Sequence, residues 1–198
     1  MPRRINGKAI IRHLREDIQA ASGPIQLCSG LEAGCESAVH AMVEMFSNEE
    51  SDAVLLVDAD NAFNRLNRSA ALWNMRMICP SLCIFAENCY LAPARLFVTG
   101  GMEMASCEGT TQGDPLAMPF YALSLMPLIR ELHGLAKQVW YADDAQATGT
   151  MTDLRVWWDR LLSRGPGFGY FVNASKTIDK VRVDGQLLLQ AHRQFTNW

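Results

Sequence analysis

Three aspartates carry the chemistry this chain can do. Asp58 closes a short apolar run, Val54-Leu-Leu-Val57, and Asp143 and Asp144 stand side by side after Gln138 to Ala142. Singly, each is an ordinary turn residue. A sheet that brings both strand ends together would place two or three carboxylates within a few ångströms. Two like charges about 4 Å apart repel by about 4 kcal/mol at an effective dielectric of about 20. A fold keeps such a cluster when protons or cations neutralise it. Hard carboxylate oxygens suit a hard divalent cation such as Mg2+. Two such ions about 4 Å apart are the catalyst for in-line attack at phosphorus.

The elements that must hold these acids follow from hydrophobic spacing. Residues 6–21 read as a helix with Ile10, Ile11, Leu14 and Ile18 on one face, stopped by Gly23-Pro24. A second helix is expected over 35–46, with Val39, Met42, Val43 and Phe46 inward, followed by a polar loop at 48–52. Val54 to Val57, apolar on both faces, reads as a buried strand. Helices are expected over 67–79 and 82–92, then a strand at 94–99 with Gly100-Gly101 as a turn. Asp114-Pro115 should open a long buried helix reaching Leu132, with Pro119 and Pro127 kinking it. Residues 138–142 and 145–148 should form a hairpin around Asp143-Asp144.

A further amphipathic helix carries Leu154, Trp157, Trp158, Leu161 and Leu162, with Thr152 and Asp153 as caps. A Gly/Pro loop at 163–169 follows it. A second hairpin is expected around Asp184-Gly185. Helices mixed with antiparallel strands give an α+β fold class.

The 198 residues, 49% of them apolar, are enough for one sizeable core. No apolar run is long enough for a membrane span, and the N-terminus lacks the apolar stretch of a signal peptide. The six cysteines form no CxxC pair, so they read as buried free thiols in a reducing compartment. An intracellular protein is therefore expected, with nucleus or cytoplasm left open. A net charge of −3 argues against a surface that clamps nucleic acid everywhere, but allows a local basic groove.

Four blocks, taken in order, resemble the reverse transcriptase family: Asp58-Ala-Asp-Asn-Ala-Phe-Asn64, Gln112-Gly-Asp-Pro-Leu116, Tyr141-Ala-Asp-Asp144 and Gly169-Tyr-Phe-Val-Asn-Ala-Ser-Lys-Thr177. Each alone is a weak signal; all four in sequence are a strong one. The first and last blocks look nearer to non-LTR retroelements and related eukaryotic types than to retroviruses. The resemblance is strong over about residues 50–180 and loose elsewhere. It implies an RNA-directed DNA polymerase domain with a right-hand palm, an antiparallel sheet covered by helices on one face, and partial fingers. The expected division is partial fingers at 1–53, palm at 54–68, fingers-like helices and strand at 69–105, and palm again at 106–198. Compared with the family, the chain starts late and ends before a thumb, so a truncated element is expected.

Carried over by position, Asp58 and Asp143 would be the main metal ligands, Asp144 a secondary acid, and the Ala59 carbonyl a further approach to a metal. Phe63 would pack under the incoming sugar and reject a ribose 2′-hydroxyl, unless it is simply a core aromatic. Gln112 and Gly113 would meet nucleotide and template. Lys176 would lie near the triphosphate, or else be a solvated loop lysine. Asn173 would order its loop by side-chain hydrogen bonds. Arg3, Arg4, Lys8, Arg12 and Arg15, together with Arg65, Arg68 and Arg76, are candidate phosphate contacts or an ordinary solvated face. The implied cofactors are two Mg2+ (or Mn2+) ions, and the implied partners an RNA template, a DNA primer and a dNTP. Two other readings stand beside this one. One is a domesticated remnant that keeps the fold without activity. The other is an RNA-directed RNA polymerase, against which Ala142 before the paired acids and Phe63 both speak.

Overall fold

The computed structural model describes residues 2–29, 31–47, 51–183 and 186–191. The N-terminal amphipathic stretch is divided into α1 (Pro2–His13) and α2 (Arg15–Ser22). Helical hydrogen bonding carries across the bend at Leu14, whose N–H reaches Ile10 O at 2.8 Å. Gly23, at φ +62, closes α2. The next helix, α3 (Gly34–Ser47), is turned from the expected orientation: Ala38 and Met42 are buried, but Val39 and Val43 are 53% and 59% exposed. Gly34 explains the rotation. A Cβ there would sit 2.1 Å from Leu27 O, so the helix rests its smallest residue on that carbonyl.

Five strands form one antiparallel sheet: β1 (Ala53–Val57), β4 (Lys137–Tyr141), β5 (Asp144–Gly149), β6 (Ile178–Val183) and β7 (Gln186–Ala191), in the order β4-β5-β1-β6-β7. Strand β1 lies in the middle, as its two-faced apolarity requires. Ala53, Leu55 and Val57 face the main core, whereas Val54 packs with Leu27, Ala38, Met42 and Val139. Helices were expected on one face only. Instead, α3 covers part of the second face, because alternate residues of β1 need apolar cover there too. Residues 184–185, where the second hairpin turn was expected, lie outside the described residues, but β6 and β7 pair antiparallel on either side of them.

The main helical layer comprises α5 (Arg68–Ile78), α6 (Pro80–Tyr90), α7 (Ala117–Ser124), α8 (Met126–Leu132) and α9 (Met151–Phe168), with a single turn, α4 (Ala62–Arg65), just after β1. The segment expected as one helix from Asp114 starts at Ala117 and breaks at Leu125; Pro127 stands in the first turn of α8, where a missing N–H costs nothing. Asp114 shapes the turn before α7, accepting Leu116 N–H at 3.1 Å. The cap of α9 is Thr150, not Thr152 or Asp153: its hydroxyl oxygen accepts Asp153 N–H at 3.2 Å. Residues 163–168, expected as a loop, continue α9 despite Pro166, and Gly169 at φ +79 ends it. Burial of Trp157, Trp158 and Leu161 outweighs the local propensity. Leu162, expected inward, is 45% exposed.

A separate two-stranded ribbon, β2 (Ala94–Val98) with β3 (Met102–Ser106), projects from this layer. Its second strand was not anticipated, since Met-Glu-Met-Ala-Ser carries no strong β signal.

Candidate active site

Asp58 follows the last residue of β1, and Asp144 opens β5. The β1–β5 register pairs Val57 with Ala145, so the two acids stand at the same end of neighbouring strands. The β4–β5 turn sits one residue earlier than expected: Tyr141 pairs with Asp144, leaving Ala142 and Asp143 at the tip. Asp58 and Asp144, with Leu56, Val57, Ala145, Gln146 and Lys176, line a cleft of about 380 Å3. A larger cavity of about 670 Å3 lies elsewhere, lined by residues such as His133, Lys137 and Asp153, and holds none of the expected site residues.

The carboxylates feel one another. Asp143 is pushed above the ordinary aspartate range by burial and by the charges of Asp144 and Asp58; Asp144 is raised by burial and by Asp58. Asp58 Oδ2 is buried without a hydrogen-bond partner, and the Lys176 ammonium is 3.7 Å from it, beyond hydrogen-bond length. A carboxylate oxygen with an ion-pair neighbour but no hydrogen bond, two further acids with raised proton affinity and an open cleft fit a divalent cation by charge and by donor type. Among the described residues, however, no group of three or more His, Cys, Asp or Glu is gathered closely enough to cage an ion. The acids are neighbours rather than a preformed cage.

The segment after β1 is strapped to residues 171–173. Asp58 O accepts Asn173 N–H at 2.8 Å, Asp60 N–H donates to Phe171 O at 2.7 Å, and Ala59, which is buried, bridges to Val172. Asn173 does order its loop: Oδ1 accepts Ser175 N–H at 3.2 Å and Ser175 Oγ–H at 2.7 Å. That turn brings Lys176 to Asp58. Gly169 allows the close approach upstream, since a Cβ there would lie 2.0 Å from Arg65 O.

Phe63 is half-buried and stacks on Tyr121, with ring centroids 4.6 Å apart. Tyr121 was not picked out from the sequence. Its hydroxyl is buried without a partner, and burial together with the charges of Asp143 and Asp144 raises it well above the tyrosine range. The Phe63 carbonyl accepts Thr110 N–H at 2.7 Å, which ties it to the loop bearing Gln112 and Gly113. Both of those residues are exposed, and Gly113 adopts φ +77. The loop is anchored beyond them by buried Asp114, which accepts Tyr90 Oη–H at 2.8 Å and pairs with Arg3 at 2.5 Å.

The basic residues divide by role. Arg3 is committed to Asp114, Arg76 pairs with Glu87, and Arg68 is buried on the carbonyls of Ser106, Glu108 and Gly109. Arg65 pairs with Asp60 and lies 3.8 Å above the Phe171 ring, beside the site. Arg4 and Lys8 are exposed on α1.

Solved structures share this architecture. Apo telomerase from Candida tropicalis matches 96% of this chain with a TM-score of 0.59 at 12% identity. Telomerase from Candida albicans, in complex with a fragment of telomeric RNA, matches 92% with a TM-score of 0.61 at 10% identity. An RNA-dependent RNA polymerase (RdRp) complex matches 94% with a TM-score of 0.51 at 10% identity. The chain spans 39%, 38% and 19% of those chains, respectively. No protein-family model and no curated protein matches it. The likeness is one of fold: mixed helices and small antiparallel sheets in a polymerase-like arrangement. Among the described residues no helix is long and apolar enough to cross a membrane.

Proposed function

We propose that this chain is the palm with part of the fingers of a retroelement reverse transcriptase, transferring a nucleotide from a dNTP to a DNA primer 3′-hydroxyl on an RNA template. One observation carries the reading: Asp58, Asp144 and Lys176, drawn from three separate sequence blocks, line one cleft, with Asp143 on the adjoining turn. The four sequence blocks and the polymerase-like fold support it.

In this reading Asp58 and Asp143 hold the metals and Asp144 adds charge nearby. Two bound Mg2+ ions would lower the pKa of the primer hydroxyl and offset charge on the triphosphate. Lys176, whose ammonium lies 3.7 Å from Asp58 Oδ2, would steady the triphosphate and give a proton to departing pyrophosphate. Phe63, held by Tyr121, blocks the space of a 2′-hydroxyl. Gln112 and Gly113 meet the base pair, with Gly113 letting backbone approach closely. Arg65, Arg4 and Lys8 contact phosphates. An intracellular setting, nucleus or cytoplasm, belongs to the same reading.

A non-enzymatic remnant is the second reading, favoured by the absence of a gathered three-acid cage among the described residues. Primer extension separates the two. The whole chain is incubated with Mg2+ or Mn2+, dNTPs and a DNA primer on an RNA template, beside Asp143→Asn. Extension lost in the variant supports the polymerase. Extension absent from both favours the remnant.

A further inference from the structure

The acidic turn is held in a conformation its own residues disfavour. Ala142 is 3% exposed and adopts φ +54, a region that costs an alanine about 1–2 kcal/mol. Nothing in Tyr-Ala-Asp-Asp asks for that geometry. The hold comes from a residue 116 positions away. Gln26 is fully buried; its Nε2–H donates to Ala142 O at 3.1 Å, and its Oε1 accepts Ala142 N–H at 2.9 Å. One side-chain amide thus satisfies both polar groups of the strained residue. On the next residue, Asp143 O accepts the hydroxyl of buried Tyr170 at 2.8 Å.

The backbone around Gln26 does a different job. Trp140 N–H donates to Ile25 O and Leu27 N–H to Trp140 O, both at 2.8 Å, so residues 25–27 lie parallel along the outer edge of β4. Those two bonds cover the sheet edge without the glutamine side chain. The side chain is free to serve the turn, and it reaches the residue before Asp143.

We propose that Gln26 is a positioning residue for the acidic turn, with Tyr170 as its second hold: Gln26 fixes Ala142 at positive φ, Tyr170 fixes the next carbonyl, and together they set where Asp143 stands beside the cleft. The catalytic part of this inference rests on the polymerase reading above; the conformational part does not. The segment between α2 and α3 thereby becomes a working part of the site, although it carries none of the four blocks.

The test uses the whole chain with Gln26→Met, which keeps length but removes both hydrogen bonds, Tyr170→Phe, which removes only the hydroxyl, and Gln26→Met combined with Ala142→Gly. Amide exchange is read first, without metal or nucleic acid. Expected is exchange at Ala142 and Asp143 at least about tenfold faster in both single variants, with Leu55 and Ala147 in the same sheet unchanged. Primer extension is read second. Expected is a fall in kcat of about 10- to 100-fold with KM for dNTP within about threefold, the size of a misplaced reacting group. Glycine at 142 accepts φ +54 unaided, so the combined variant should recover most of the lost kcat.

Unchanged exchange at Ala142 in Gln26→Met overturns the inference. So does a kcat loss that glycine fails to recover. Wild-type chain without extension overturns the polymerase reading instead, and the exchange data then decide the hold on the turn alone. If Gln26→Met does not fold, Tyr170→Phe carries both readouts.

Discussion

Two hairpins in this molecule reverse the chain by opposite means. The β2–β3 ribbon turns through Gly100 and Gly101, at φ +106 and +88, with open space where a Cβ would be. All five residues of β2 are exposed. The β4–β5 hairpin turns through Ala142 and Asp143, buried and half-buried, with the left-handed alanine bonded by Gln26 and the Asp143 carbonyl by Tyr170. Where a turn only reverses direction, glycine supplies positive φ at no steric cost. Where a turn must present a carboxylate, the strain is accepted and the surrounding structure holds it. The difference sets β4–β5 apart as the turn whose conformation the surrounding structure holds.

The sharpest break in that comparison is at the acids. Asp58→Asn and Asp143→Asn should each lower kcat for primer extension by about 10²–10³-fold, the scale of losing one preorganised charge-stabilising group. Gly100→Ala in the ribbon should leave extension within about threefold of wild type. Equal losses at both hairpins would remove the distinction.

Stability should follow a different map. Gly169→Ala would drive a Cβ to within 2.0 Å of Arg65 O at φ +79, and should cost on the order of 3 kcal/mol in denaturant unfolding. Gly100→Ala has space and should cost only about 1–2 kcal/mol. Equal midpoints would show that the packing of 169 against 65–67 is loose.

A smaller effect comes from pH. Asp143 and Asp144 are raised above the ordinary aspartate range, so the folded chain keeps protons there that the unfolded chain has released. Stability should therefore fall as pH rises from that range through the raised values, and level off once both are ionised. Asp144→Asn should flatten this slope and raise Tm at neutral pH. A steeper slope in the variant would contradict the mutual repulsion.

The smallest effect concerns thiols. Burial, with a further push from Asp143, raises the Cys28 thiol to about 11, whereas Cys35 and Cys107 are exposed. Alkylation at pH 8 followed by peptide mass analysis should label Cys35 and Cys107 well before Cys28. Labelling of Cys28 first would mean that the turn opens to solvent.

The meeting of Asp58, Asp144 and Lys176 at one cleft and the Asn173 turn were legible because their signals are local: strand ends, residue types and spacing within short blocks. The central place of β1 was legible in its two-faced apolarity. What the sequence hid is tertiary. Gln26 reads as one polar residue in an irregular stretch, and only the fold brings it to Ala142. Tyr121 sits in an unbroken apolar helix where nothing distinguishes the ring beneath Phe63. Val39 and Val43 were expected inward from their spacing, but Gly34 against Leu27 O turns the helix away. Arg3 and Arg68 look like phosphate contacts in composition, yet they are occupied by Asp114 and by the carbonyls of Ser106 to Gly109.

Whether the acids act together on a cation is measurable without any reaction. Mn2+ added to the whole chain is followed by the electron paramagnetic resonance of the free ion, beside Asp58→Asn and Asp143→Asn. Expected is saturable binding by the wild type that weakens at least about tenfold in each variant. Binding of equal strength in all three proteins would contradict that joint action.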